Sequence, residues 1–294
     1  MNTESENQWV LGLDLRADAD GAITFAKWLR DHLEPQIQLT GLHVIEEDVH
    51  GILTQIDPHA EVLTLAESAV ATALARAGAE QTLDSLRLVE SEPPEEALAQ
   101  AAADAEGLII GRLAPRGKVR LVRLGRVARR LLRQLPAPTI VVPPDLQPTD
   151  VGAGPIIVAT NAHDDALEAI HFAARMAARL ERELVLALVV STPHGWPDTY
   201  LPRAAIEQIH SGILAGGERK LAHWAQTHDL TQHRQVVRAG AVAHQLLDLA
   251  EHEDALMLVT GSRQLGALGR VFSTSVGTLL CGSARCPVAV VAGP

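Results

Sequence analysis

The sequence predicts an α/β protein made of two doubly wound, five-stranded parallel-sheet domains in tandem, and three observations carry that expectation. The chain is 294 residues long, about twice the length of one typical domain. The same order of elements runs through it twice, the mark of an internal repeat. Its hydrophobic content is 47%, of which little is aromatic (3% of the chain). Ala, Leu, Val and Ile must therefore fill the cores, which suits helices packed on a Val/Ile-rich sheet.

The elements follow in order. WVLGLD (9–14) is an apolar run ending in an acid, a buried strand; an amphipathic helix follows over about 19–32. IQLTGLHVIEE is a second strand, an Ala-rich helix covers about 60–78, and LRLVE (86–90) is a short third strand. The helix PEEALAQAAADA leads to the strand GLIIG (107–111), a basic loop and helix, and the closing strand PTIVVP (138–143). The second half repeats the series: PIIVATN (155–161), the helix DDALEAIHFAARMAARL, ELVLALVV (183–190), and a long segment with a helix to about 228. RQVVRAG (234–240), the helix HQLLDLAEHE, ALMLVTG (255–261), a loop with a helix, and CPVAVV (286–291) complete it. Short apolar runs alternating with amphipathic helices are the pattern of parallel strands covered on both faces. Between the halves, PPDLQPTDVGAGP breaks both periods. The linker is placed at about 144–154, with domains at 1–146 and 152–294.

The formal net charge of -11 disfavours bulk binding to nucleic acid or to an anionic membrane, which need a basic surface. No apolar run approaches the ~20 residues of a membrane span, and the start, MNTESENQWV, lacks the regions of a signal peptide. A cytoplasmic location is expected. Cys281 and Cys286 have neither CxxC spacing nor a second pair, and read as small core residues.

At these residues the chain resembles the universal stress protein family over nearly all of both halves. SEPPEEALAQAAADAEGLIIGR and AGAVAHQLLDLAEHEDALMLVTGSR match the family's passage from third helix to fourth strand; PAPTIVVP and ARCPVAVVAGP match its close. The resemblance implies a doubly wound sheet of the adenine-nucleotide α-hydrolase type. It also implies, in nucleotide-binding members, an Asp after the first strand and a Gly-x2-Gly-x9-Gly-(Ser/Thr) loop after the fourth. Glycines let backbone N–H groups approach a phosphate, and the hydroxyl adds a donor at the helix start. The second half offers Gly261, Ser262 and Arg263, then Thr274 and Ser275, with Asn161 in place of the acid. Gln264 and Thr274 stand where glycines are expected, a form similar to members not thought to hold ATP. The first half offers Asp14, Gly111, Gly125 and Arg126, with Gly125 one residue late and Arg126 in the hydroxyl position. Because the second half keeps the motif's length and its hydroxyl, it is the preferred nucleotide site of the two. No cofactor is certain; ATP or AMP is the candidate.

Between 112 and 133 lie Arg112, Arg116, Lys118, Arg120, Arg123, Arg126, Arg129, Arg130 and Arg133, nine of the chain's 25 basic residues, with no acid among them. Arginine suits bidentate pairing with phosphate or carboxylate, so an acidic partner or phosphate ligand is one reading. The other is a solvated or intramolecular face beside an apolar stripe of Val127, Leu131 and Leu135. The segment lacks aromatic residues, which disfavours nucleic acid.

His223, His228 and His233 are spaced by five and do not share a helical face as zinc-binding i, i+4 pairs do. Asp164 and Asp165, like Glu95 and Glu96, read as charges at helix N-termini. No GxSxG elbow is present. Neither LDLRADADG nor TNAHDDALE supplies the pyrophosphate loop of related enzymes. The expected function is therefore a non-enzymatic stress-response or signalling role through partner or weak nucleotide binding; an ATP-binding protein with slow hydrolysis or phosphotransfer is the alternative. The resemblance also implies self-association, as a homodimer or as an internal pseudo-dimer in which the two halves pair through their last strands and cover those edges.

Overall fold

The computed structural model describes residues 7–16, 19–45, 51, 62–90, 93–113, 124–192, 202–262 and 276–293. Contacts divide the chain into two compact units, Met1–Val151 with Arg285–Val290, and Gly152–Ala284 with Val291–Pro294.

In the first unit the strands are β1 (Gln8–Gly12), β2 (Gln38–Ile45), β3 (Ser85–Glu90), β4 (Gly107–Gly111) and β5 (Thr139–Val142). They lie in the order β3-β2-β1-β4-β5, and each neighbouring pair is parallel. The helices are α1 (Gly21–His32), α2 (Val62–Arg76), α3 (Pro94–Ala102) and α4 (Arg126–Gln134). Central strands are apolar on both faces because helices cover both: every residue of β5 and all but the last of β4 are buried. The edge strand β3 is exposed or half-buried along its length and carries Arg87 and Glu90, charges that discourage further pairing. Trp9 is fully buried and lies over the backbone of Gly107, where an added Cβ would come within 2.4 Å of its ring. Its indole Nε1–H donates to Glu106 Oε2 at 2.9 Å. Residues 288–290, which belong to this unit, run antiparallel to 139–141 of β5.

In the second half of the sequence the strands are β6 (Ile156–Thr160), β7 (Leu184–Val190), β8 (Arg234–Ala239), β9 (Met257–Ser262) and β10 (Val288–Ala292). Their order, β8-β7-β6-β9-β10, repeats that of the first half. The helices are α5 (Leu167–Arg179), α6 (Arg203–Thr227), α7 (Val242–His252) and α8 (Val276–Ser283). The segment beginning at Asp164, expected to be helical throughout, opens as a 3-10 turn (Asp164–Ala166) before α5. Gly217 lets the long helix α6 approach the sheet, since a Cβ there would meet Val237 Cγ1 at 2.7 Å. The edge strand β8 is held by Arg234, which donates to both oxygens of Glu253 at 3.1 and 2.7 Å. That hydrogen bond holds the Glu253 carboxyl below its ordinary value, against the opposing effect of burial. Each half also carries an indole packed on an imidazole one helical turn on: Trp28 with His32 at 4.5 Å between ring centroids, and Trp224 with His228 at 4.8 Å.

The segment expected to be a linker is tied down at both ends. Its Pro144 carbonyl accepts from the Gly21 N–H at 3.0 Å, and the Gly154 N–H donates to the Asp254 carbonyl at 2.9 Å.

Candidate functional site

In the order β3-β2-β1-β4-β5, the chain leaves the carboxyl ends of β1 and β4 toward opposite sides of the sheet. This topological switch point opens a crevice. The first unit has a cavity of about 710 Å³ there, within the size range of small-ligand sites. Asp14 reaches it from the turn after β1, Gly111 from the end of β4, and Gly125 and Arg126 from the start of α4. The four first-half residues singled out from the sequence therefore line one space. Leu42, Leu98, Ile110 and Val127 supply apolar wall, and His43 and Arg16 add two polar groups that the motif reading missed. The strand order could have found His43, because it places the end of β2 beside the end of β1.

Gly125 is the N-cap of α4 and Arg126 its first helical residue, so the positive end of the helix and a guanidinium face the same cavity. At Gly111 the protein itself leaves room: an added Cβ would meet only Ala22 Cβ at 3.7 Å and the Ala19 carbonyl at 3.9 Å. Asp14 is clasped by Arg16, whose Nε donates to Oδ1 at 2.8 Å and Oδ2 at 2.9 Å. The Arg16 backbone N–H also donates to Oδ1, at 3.2 Å. The His43 Nδ1 lies 3.0 Å from the Leu13 carbonyl, which turns its Nε2 edge away from that bond.

Of the second-half set, Asn161 follows β6, and Gly261 and Ser262 end β9. Arg263, Thr274 and Ser275 lie outside the described residues, as do Arg116, Lys118, Arg120 and Arg123 of the basic segment. Asn161 makes the same turn as Asp14: its Oδ1 accepts from the His163 N–H at 3.1 Å. Its Nδ2 donates to Asp165 Oδ1 at 3.1 Å, and its carbonyl accepts from Lys220 Nζ at 2.7 Å. Asp164, read from sequence as a helix-end charge, also accepts from Trp224 Nε1 at 3.3 Å and pairs with His228 Nε2 at 3.0 Å.

In α4, Ala128, Leu131 and Leu135 are buried and Val127 is half-buried, while Arg126, Arg129, Arg130 and Arg133 are exposed. Arg130 reaches across to α3 and pairs with Glu95. Glu95 is more than a helix-end charge: it is 2% exposed, and its Oε2 has no hydrogen-bond partner among the described residues.

These features define a doubly wound α/β protein with a crevice at the switch point of its first sheet. A sequence model of the universal stress protein family matches residues 9–143 and again 153–292, and the chain belongs to that family. Its fold is similar to that of a universal stress protein from Archaeoglobus fulgidus DSM 4304, at 18% identity over 98% of each chain with a TM-score of 0.65. It is likewise similar to a functionally unknown protein from Pseudomonas aeruginosa PAO1, at 14% identity over 99% of this chain and 94% of that one, with a TM-score of 0.67. Curated proteins return no match.

Proposed function

We propose that this is a non-enzymatic stress-response or signalling protein that works through partners and through weak binding of a phosphorylated nucleotide, ATP or AMP, in the first-unit cavity. Membership of the universal stress protein family supports the stress-response role. The observation that carries the ligand is the convergence of Asp14, Gly111, Gly125 and Arg126 on one cavity at the switch point. The second-half site, preferred on motif spacing, is the alternative location; its Asn161 already spends its side chain on Asp165 and His163.

The cytoplasm is the proposed location; among the described residues no helix is long and apolar enough to cross a membrane. Self-association through the last strands is proposed as well. Membership of the universal stress protein family supports it.

Calorimetry with ATP on wild type, Arg126→Glu and Ser275→Ala tests the ligand. Glu at the first helical position suits the helix dipole, so the substitution leaves the fold intact. Wild type is expected to bind at micromolar affinity or weaker. Loss of a charge-assisted bond to phosphate costs about 1.5–3 kcal/mol, so Arg126→Glu should weaken binding about tenfold or more. Ser275→Ala should change nothing. The reverse pattern would move the ligand to the second half, and no binding at millimolar ATP would overturn the nucleotide reading.

A further inference from the structure

Among the described residues, the lining of the first-unit cavity brings two arginines, Arg16 and Arg126, and the His43 imidazole beside one acid, Asp14. Such a lining favours an anion. The carboxylate, however, is held by Arg16. Arg16 Nε donates to both of its oxygens, Arg16 Nη2 contacts Oδ2, and the Arg16 N–H donates to Oδ1. These contacts supply three N–H hydrogens to a carboxylate with about four lone-pair positions, so the hydroxyls of an incoming sugar compete with Arg16 for Asp14.

We infer that Arg16 is a specificity-determining residue: it holds Asp14 until a ligand carrying both hydroxyls and phosphate draws the guanidinium onto the phosphate. The inference rests on the proposed reading of the cavity as a nucleotide site. The Arg16 and Asp14 side chains are 47% and 36% exposed, and an exposed pair is weak; breaking it lowers affinity by no more than about fivefold. A guanidinium fits a phosphate bidentately and binds it more strongly than a neutral donor does. A nucleotide thus recovers the loss through Arg16, whereas a nucleoside without phosphate bears it in full. The clasp joins two residues of the turn after β1, both of which line the cavity.

Calorimetry with ATP and with adenosine on wild type, Arg16→Ala and Arg16→Lys tests this. Wild type should favour ATP by at least about tenfold. In Arg16→Ala, adenosine should bind up to about fivefold tighter and ATP about tenfold weaker, so that the preference collapses. Arg16→Lys keeps the charge without the planar fork and should restore part of the preference. If wild type binds ATP and Arg16→Ala keeps the wild-type ratio, Arg16 does not set specificity although the cavity reading stands. Binding of neither ligand to wild type would remove both.

Discussion

The turns that follow β1 and β6 start alike and end differently. In each, a side-chain oxygen two residues before a backbone N–H accepts from it: Asp14 from Arg16 at 3.2 Å, Asn161 from His163 at 3.1 Å. Beyond that shared bond, Asp14 lines a cavity and, among the described residues, holds its own turn's arginine. Asn161 ties its turn to Asp165 and, through its carbonyl, to Lys220 of α6. The duplicated fold therefore keeps the turn while one copy leaves its acid facing a ligand-sized space and the other spends its amide on structure. An equivalent position in a repeat can hold either role, and hydrogen-bond partners decide which.

The largest expected effect tests what holds the first-half cavity in place. Arg130→Ala would leave the buried Glu95 carboxylate without its cation, and α3 and α4 both line the cavity. Breaking a fully buried pair costs about 3–5 kcal/mol; the 52% exposure of the Arg130 side chain reduces the expectation to about 1–3 kcal/mol. Urea denaturation should show that loss, and adding Glu95→Gln in the Arg130→Ala background should recover much of it. A double variant no better than the single would mean the carboxylate is compensated elsewhere.

Next comes the comparison itself. Asn161→Ala removes two hydrogen bonds from a half-buried turn and should lower stability by about 1–2 kcal/mol. Asp14→Ala, at an equally half-buried acid whose side-chain bonds run to Arg16 of its own turn, should stay within about 0.5 kcal/mol. Equal losses at the two positions would erase the distinction between a structural and a ligand-facing copy.

A loss smaller than that at Asn161 is expected at the second unit's edge, where Glu253→Gln should cost about 0.5–1 kcal/mol at neutral pH. Glu253 has a depressed carboxyl in the folded state through its bond to Arg234. Its contribution is thus present above the unfolded carboxylate value and is lost as pH falls through the lower folded value. Wild type and variant should converge in acid; a constant gap across pH would show that the loss is one of packing.

The tandem organisation and the strands were legible because continuous apolar runs such as GLIIG and ELVLALVV have few alternatives in a chain of this composition. Two features were not. The tie-down of 144–154 depends on backbone bonds to Gly21 and Asp254, which no local pattern records. The burial of Glu95 depends on Arg130 from another helix, and next to Pro93 and Pro94 an acidic pair reads naturally as helix-end charge. At the site, glycine spacing ranked the second half first, because spacing reports what a loop can accept. It is silent on whether the polar groups at the strand ends are already engaged.

The paired indole and imidazole rings in α1 and α6 give each half its own optical signature. Trp28 stacks on His32 and Trp224 packs on His228, so each of these two indoles keeps its own ring neighbour while its helix is intact. Melting either helix separates its rings, so the light from this chain carries separate news of its two halves.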